Sequence, residues 1–167
     1  MKSFIKPLMA TVIMGMAINA YAVQKDITVT ANVDATLDMT TDTGDVLPST
    51  MEMGYMPGVG LEPVTQSTKI YSNDAEKDVN ISLAGAPQLM DTVGVNSSIA
   101  LTVKYGDLIL TQAPQTMAAT HLFPTGDTAN GSIIQPLMIS QATQVPVASG
   151  NYSGVVSVVL TQATETP

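Results

Sequence analysis

From Val23 to Thr40 the chain alternates almost without fault. The odd positions read Val23, Lys25, Ile27, Val29, Ala31, Val33, Ala35, Leu37 and Met39; the even ones read Gln24, Asp26, Thr28, Thr30, Asn32, Asp34, Thr36, Asp38 and Thr40. Only Lys25 breaks the separation. Successive side chains of a strand point to opposite faces, so this segment carries one apolar edge and one polar edge over a length on the order of 50 Å. Strands average about five or six residues, and a single domain seldom needs one so long. The segment is therefore expected to serve two places. Ala35 to Thr40 forms the first strand of a domain, and Val23 to Asp34 projects from it as an arm. The alternation leaves open a long N-terminal strand folded on its own domain, or two strands joined at a bend.

Ahead of the arm, Lys2 and Lys6 precede an apolar run from Leu8 to Ile18, which closes on Ala20-Tyr21-Ala22. This is the pattern of a secretory signal cleaved after Ala22. The run is too short to span a bilayer, which takes about 20 apolar residues. The mature chain then begins at Val23 and holds four lysines against 14 acids, a formal charge of −10. That charge disfavours nucleic acid and anionic membrane as partners. The chain has no cysteine, so stability must come from burial or assembly rather than disulfides. It also lacks arginine and tryptophan, the residues most used for bidentate anion capture and for aromatic anchoring, which counts against a sugar or phosphate site.

Beyond the arm no segment shows helical periodicity. Apolar alternation recurs at Met51, Met53, Tyr55, at Val79, Ile81, Leu83 and at Ile99, Leu101, Val103, Tyr105, between clusters of Gly, Pro, Asn and Asp. Short strands at such spacing predict an all-β sandwich. Gly106-Asp107, between Tyr105 and the run Leu108 to Leu110, predicts a tight hairpin. Near the C-terminus Gly150, Tyr152, Gly154, Val156, Val158 and Leu160 alternate with positions that include Val155 and Val159. A strand apolar on both faces belongs either in the middle of a sheet or beside a groove. The glycines flanking Tyr152 leave room for another backbone to approach.

The signal followed at once by Val-x-Lys-x-Ile-Thr-Val-Thr-Ala, and the C-terminal Gly150-Asn151-Tyr152-Ser153-Gly154-Val155-Val156-Ser157, resemble the major subunits of alpha-clade (class 5) chaperone-usher pili. Leu47-Pro48-Ser49, Asn73-Asp74-Ala75 and Ala86-Pro87-Gln88-Leu89 follow in the order of those subunits. The likeness spans most of the mature chain and is greatest to the cable-pilus major pilin, with the enterotoxigenic colonisation-factor pilins as cousins. It implies an immunoglobulin-like sandwich that lacks one strand and is completed by donor-strand exchange. It also implies a structural subunit of an adhesive surface pilus, exported through the periplasm to the cell surface. The implied boundaries are 1–22 for the signal peptide, 23–34 for the donor-strand arm and 35–167 for the pilin domain. The implied donor residues are Val23, Ile27, Val29, Ala31 and Val33; the implied acceptor groove is Tyr152, Gly154, Val156, Val158 and Leu160. The implied partners are neighbouring copies, a periplasmic chaperone, an outer-membrane usher and a minor tip adhesin. One departure is Ala35, where members of the family often carry proline just after the Val-Asp pair, so the hinge is expected to be less rigid.

Rival chemistry finds little to build on. His121 is the lone histidine, in a setting expected to be a loop or strand end, and no cysteine can join it in a catalytic or zinc site. Asp38, Asp42 and Asp45 lack the spacing of an EF-hand loop. No enzyme activity, metal or cofactor is expected. The remaining alternative is a pilus-associated adhesin or a secreted lectin-like binding module, against which the short single domain and the arm both count.

Overall fold

A computed structural model of the chain describes residues 37–163; residues 1–36, which hold the expected signal peptide and arm, and the last four residues lie outside the described residues. Strand β1 (Leu37–Thr41) opens the domain. A hairpin of two-residue strands, β2 (Tyr55–Met56) and β3 (Gly60–Leu61), leads to the nine-residue β4 (Val64–Ser72). There follow β5 (Val79–Leu83), β6 (Gln88–Asp91), β7 (Ile99–Tyr105), β8 (Leu108–Ile109) and β9 (Gln115–Met117). A single helical turn α1 (Ala119–Leu122) precedes β10 (Gln135–Gln141), β11 (Tyr152–Ser153) and β12 (Val158–Gln162).

These strands form a large antiparallel sheet in the order β1-β4-β10-β7-β6-β11, with β8 folded back on β7, and a small sheet in the order β12-β5-β9. Ile70 of β4, Val103 and Tyr105 of β7 and Leu137 of β10 meet Val79, Ile81 and Leu83 of β5 and Met117 of β9 in one buried cluster. The period-2 pattern decides which residues these are. In β5 and β7 the apolar alternate positions are buried and the intervening ones are not, as a half-buried strand requires. The domain is thus the all-β sandwich that the alternation predicts.

The β7–β8 hairpin closes on Gly106-Asp107, with Tyr105 opposite Leu108. Gly106 has φ +55° and no non-glycine residue among those described has a positive φ, so the positive angle falls at the first loop position alone, as in a type II′ turn. The structure departs from the sequence reading in three places. Met51 and Met53 belong to no strand, and only Tyr55 of that run does. His121 sits exposed in α1 rather than in a loop. Gly150 to Leu160 is not one strand: β11 pairs with β6 in the large sheet, the chain crosses between sheets, and β12 pairs with β5 in the small one.

Candidate interaction groove between copies

The first and last strands of the domain lie side by side without pairing. Among the described residues the one strand that β1 pairs with is β4 and the one that β12 pairs with is β5, while Thr40 at the end of β1 also bridges to Val46, so each is the edge strand of its sheet where the two sheets meet. An edge strand presents unpaired N–H and C=O groups to whatever lies beside it.

Between these edges runs a groove of about 240 Å³, lined by Met39, Leu47, Pro48, Met51, Gln66, Leu137, Ile139, Val156, Val158 and Leu160. Nine of the ten are apolar, Gln66 is the exception, and none carries a charge. β12 sends Val158 and Leu160 into it, next to Leu83 and Ile81 of β5 in the pairing register. On β5 burial is complete at Ile81 and Val79, both 0% exposed. On the outer strands it is not: Met39, Ile139, Val156, Val158 and Leu160 pack against the core yet remain only partly buried. The inward-facing rows of β1, β10 and β12 thus meet an opening where one more row of side chains would close the core. This arrangement can accept an extended apolar segment: it offers backbone groups to pair and a slot for alternate side chains.

The residues named from sequence fall in three places. Val156, Val158 and Leu160 come together along this groove. Tyr152 and Gly154 do not; they lie where the chain pairs with β6, Tyr152 opposite Asp91. A Cβ on Gly154 would collide with the carbonyl oxygen of Gln88, so the backbone that approaches this glycine closely belongs to the same chain. Val23, Ile27, Val29, Ala31 and Val33 lie outside the described residues. Sequence reading missed the other wall, made by Met39, Leu137 and Ile139, and the segment Leu47 to Met51 that runs along it. Met39 was visible as the end of the alternating series. Leu137 and Ile139 were hidden by the neighbouring Gln135 and Pro136.

Among the described residues no group of three or more His, Cys, Asp or Glu is placed to hold a metal ion. His121 stands exposed on the surface in α1.

Comparison with known proteins agrees with this geometry. The family described as CS1 type fimbrial major subunit matches residues 23–161. A CFA/I fimbrial subunit of Escherichia coli O78:H11 (strain H10407 / ETEC) is 38% identical over 159 residues, covering 92% of this chain and 93% of that protein. A CS1 fimbrial subunit of Escherichia coli is 32% identical over 162 residues, covering 93% and 95%. The solved CooA pilin subunit from enterotoxigenic Escherichia coli superposes with a TM-score of 0.68 at 26% identity, over 79% of this chain and 90% of that one.

Proposed function

We infer, because this chain belongs to the CS1-type fimbrial major subunit family, that its copies join by donor-strand exchange, the arm Val23 to Asp34 of one subunit filling the groove between β1 and β12 of the next. The chain is a structural subunit of a fimbria and not an enzyme. The observation that carries the joining mechanism is the groove itself: two edge strands, β1 and β12, around an apolar slot whose walls are half-buried. An arm with apolar side chains on alternate positions supplies what is missing, a strand to pair with and a row of side chains to bury. In this reading the donors are Val23, Ile27, Val29, Ala31 and Val33, and Val156, Val158 and Leu160 form one wall of the acceptor.

An open groove of this kind aggregates unless something covers it, so a periplasmic chaperone strand occupies it first and an outer-membrane usher carries the subunit outward. Residues 1–22 are removed on export, a minor adhesin sits at the tip, and the polymer attaches the cell to host surfaces. Within the family the reading places the chain in the alpha clade beside the cable-pilus pilins, on the strength of Gly150 to Ser157. Capture of a synthetic cable-pilin arm by the groove would support that placement, and refusal would count against it.

Two measurements test the mechanism. Surface material run on a gel without boiling should give a ladder at multiples of the subunit mass, whereas a lone monomer band would contradict it. The mature chain without its arm, carrying Val23 to Asp34 on a flexible C-terminal linker, should be a soluble monomer. The unmodified mature chain should aggregate or polymerise; a stable monomer with a protected N-terminus would make the arm part of the subunit's own core.

A further inference from the structure

One polar atom at the end of the groove has no partner. The inward row of β12 runs Val158, Leu160, Gln162, opposite Leu83, Ile81 and Val79 of β5. Val158 and Leu160 line the apolar slot, and Gln162 ends the row just beyond it. Its Nε2 donates to Ser72 Oγ at 2.9 Å, and Ser72 lies opposite Leu37 in the pairing of β4 with β1. Gln162 therefore reaches from the small sheet to the large one at the end of the groove where β1 begins. Its Oε1 is buried and has no hydrogen-bond partner among the described residues.

The amide cannot turn over to relieve this. Ser72 Oγ already donates to Asp74 O at 2.8 Å, so it has no proton left for Gln162 and can only accept. Nε2 must face Ser72, and Oε1 must face away from it. Buried polar atoms in folded proteins nearly always find a partner, so an orphaned acceptor calls for a donor. Acidic residues belong to the segments bonded to this end. Asp74 is tied to Ser72, and Ala163, next to Gln162, donates its N–H to Asp78 O at 2.8 Å. The lining of the slot itself carries no charge.

The arm holds the complementary exception. Its apolar row is Val23, Lys25, Ile27, Val29, Ala31, Val33, and Lys25 is the single polar residue in it. A lysine ammonium has three protons to donate and nothing to accept with, on a stem that packs along apolar surface. We propose that Lys25 of one copy donates to the orphaned Gln162 Oε1 of the next, and that this pair sets the direction and register in which the arm enters. The pair deepens donor-strand exchange by the arm and rests on that reading. With Lys25 opposite Gln162 in an arm antiparallel to β12, Ile27 falls at Leu160, Val29 at Val158 and Ala31 at Val156. Reversing the arm puts the ammonium among uncharged, apolar walls. Slipping it by two residues sets Lys25 against Leu160 and leaves Oε1 facing Val23.

The chain has no cysteine of its own, so introduced pairs report the arrangement through disulfides between copies. Lys25→Cys combined with Gln162→Cys, in the full-length chain assembled on cells, should give a ladder that survives boiling and collapses on reduction. Lys25→Cys combined with Val156→Cys should give only monomer after boiling. A boiling-resistant ladder from the Val156 pair would overturn the proposal, as would none from the Gln162 pair in fibres whose unboiled ladder is intact. Lys25→Met keeps the stem and removes the donor. Its fibres should lose the unboiled ladder about ten- to a hundredfold faster on warming in detergent, the scale of one hydrogen bond to a charged group. Lys25→Arg should stay near the parental rate. Parental persistence of the Lys25→Met ladder would also overturn the pair. If the Gln162→Cys chain does not assemble, the Met and Arg variants, which leave the body untouched, decide alone. A parent without an unboiled ladder, or Val29→Asp assembling as the parent does, would sink donor-strand exchange itself; an intact parental ladder that is indifferent to Lys25→Met sinks only the pair.

Discussion

Val29→Asp puts the joining mechanism under the most direct stress. If the arm fills the groove, burying Ile27, Val29 and Val33 at about 1.5 to 3 kcal/mol each contributes roughly 5 to 9 kcal/mol before hydrogen bonds and ordering costs. The aspartate loses one of those contributions. It also enters a slot whose walls are nine apolar residues and Gln66, with no lysine among them. An unpaired carboxylate there must keep its charge at a cost or take up a proton, a further penalty of several kcal/mol. A total near ~4 kcal/mol corresponds to a roughly thousandfold weaker joint, at about 1.4 kcal/mol per decade. Fibres should fail to grow while the chaperone-bound Val29→Asp subunit is still recovered soluble, since on this reading the change lies outside the subunit's own body. Thr28→Asp and Thr30→Asp, on the polar edge, should assemble nearly as the parent does. The assay is the unboiled ladder together with fibre counts by microscopy. Equal assembly by all three variants would refute the reasoning, as would collapse of the chaperone-bound Val29→Asp subunit.

Three further changes probe the body, measured by urea unfolding of the arm-complemented subunit. Gly154→Ala should destabilise by about 1 to 3 kcal/mol, because the new Cβ meets the backbone of β6 and the strand cannot move without breaking its pairing; an unchanged midpoint would mean that β11 is not held there. Tyr105→Phe should be neutral or stabilising by up to about 1 kcal/mol, because the phenol is buried without a hydrogen-bond partner while burial pushes its pKa up. The nearby hydroxyls are committed elsewhere, Thr68 Oγ1 donating to Gln135 O and Ser132 Oγ to Ile133 O; a clear loss of stability would show that one of them serves the phenol. Asp91 has a lowered pKa, chiefly through the Asn96 N–H, so its stabilisation is present above the ordinary carboxylate range near pH ~4 and is lost as pH falls through the lowered value. Asp91→Asn should accordingly flatten the acid limb of the stability profile, and an unaltered limb would assign that limb to other carboxylates.

The strands that alternate cleanly were legible, and they are the ones buried on one face. Val79 to Leu83 and Ile99 to Tyr105 meet the core with every second side chain. β4 was not legible, because its inward row reads Thr68, Ile70, Ser72, in which hydroxyls donating to Gln135 O of β10 and to Asp74 O replace two of the apolar signals. β10 was hidden by Pro136, which an interior strand usually excludes. It is tolerated here because β7 ends at Tyr105 opposite Leu137, so Pro136 needs no N–H on that side, while its carbonyl accepts from Gly106 N at 2.9 Å. The C-terminal alternation ran on through Gly154 to Ser157, but the chain changes sheets there. Periodicity records which way side chains point and not which neighbour the backbone bonds. That is why Tyr152 and Gly154 read as part of a groove that only Val156, Val158 and Leu160 reach.

The half of the groove visible in the sequence and the half supplied by the fold have one physical cause. A strand in a finished sandwich buries its inward row because neighbouring strands continue the core on both sides of it. On β12 Val158 and Leu160 are as apolar as Leu83 and Ile81 opposite them on β5, yet they remain half-buried while Ile81 is fully enclosed. A chain that needed only to be a monomer gains nothing from apolar side chains in that position, since water would meet them as it would polar ones. Their presence on both rims, together with a leading segment carrying the same alternation, is what the proposed sharing of one core between two molecules requires. Polar replacement at Val158 should therefore cost little in a subunit whose groove is open and much more once the groove is filled. The difference between those two costs, measured on the armless and arm-complemented forms, is the contribution of that residue to the joint.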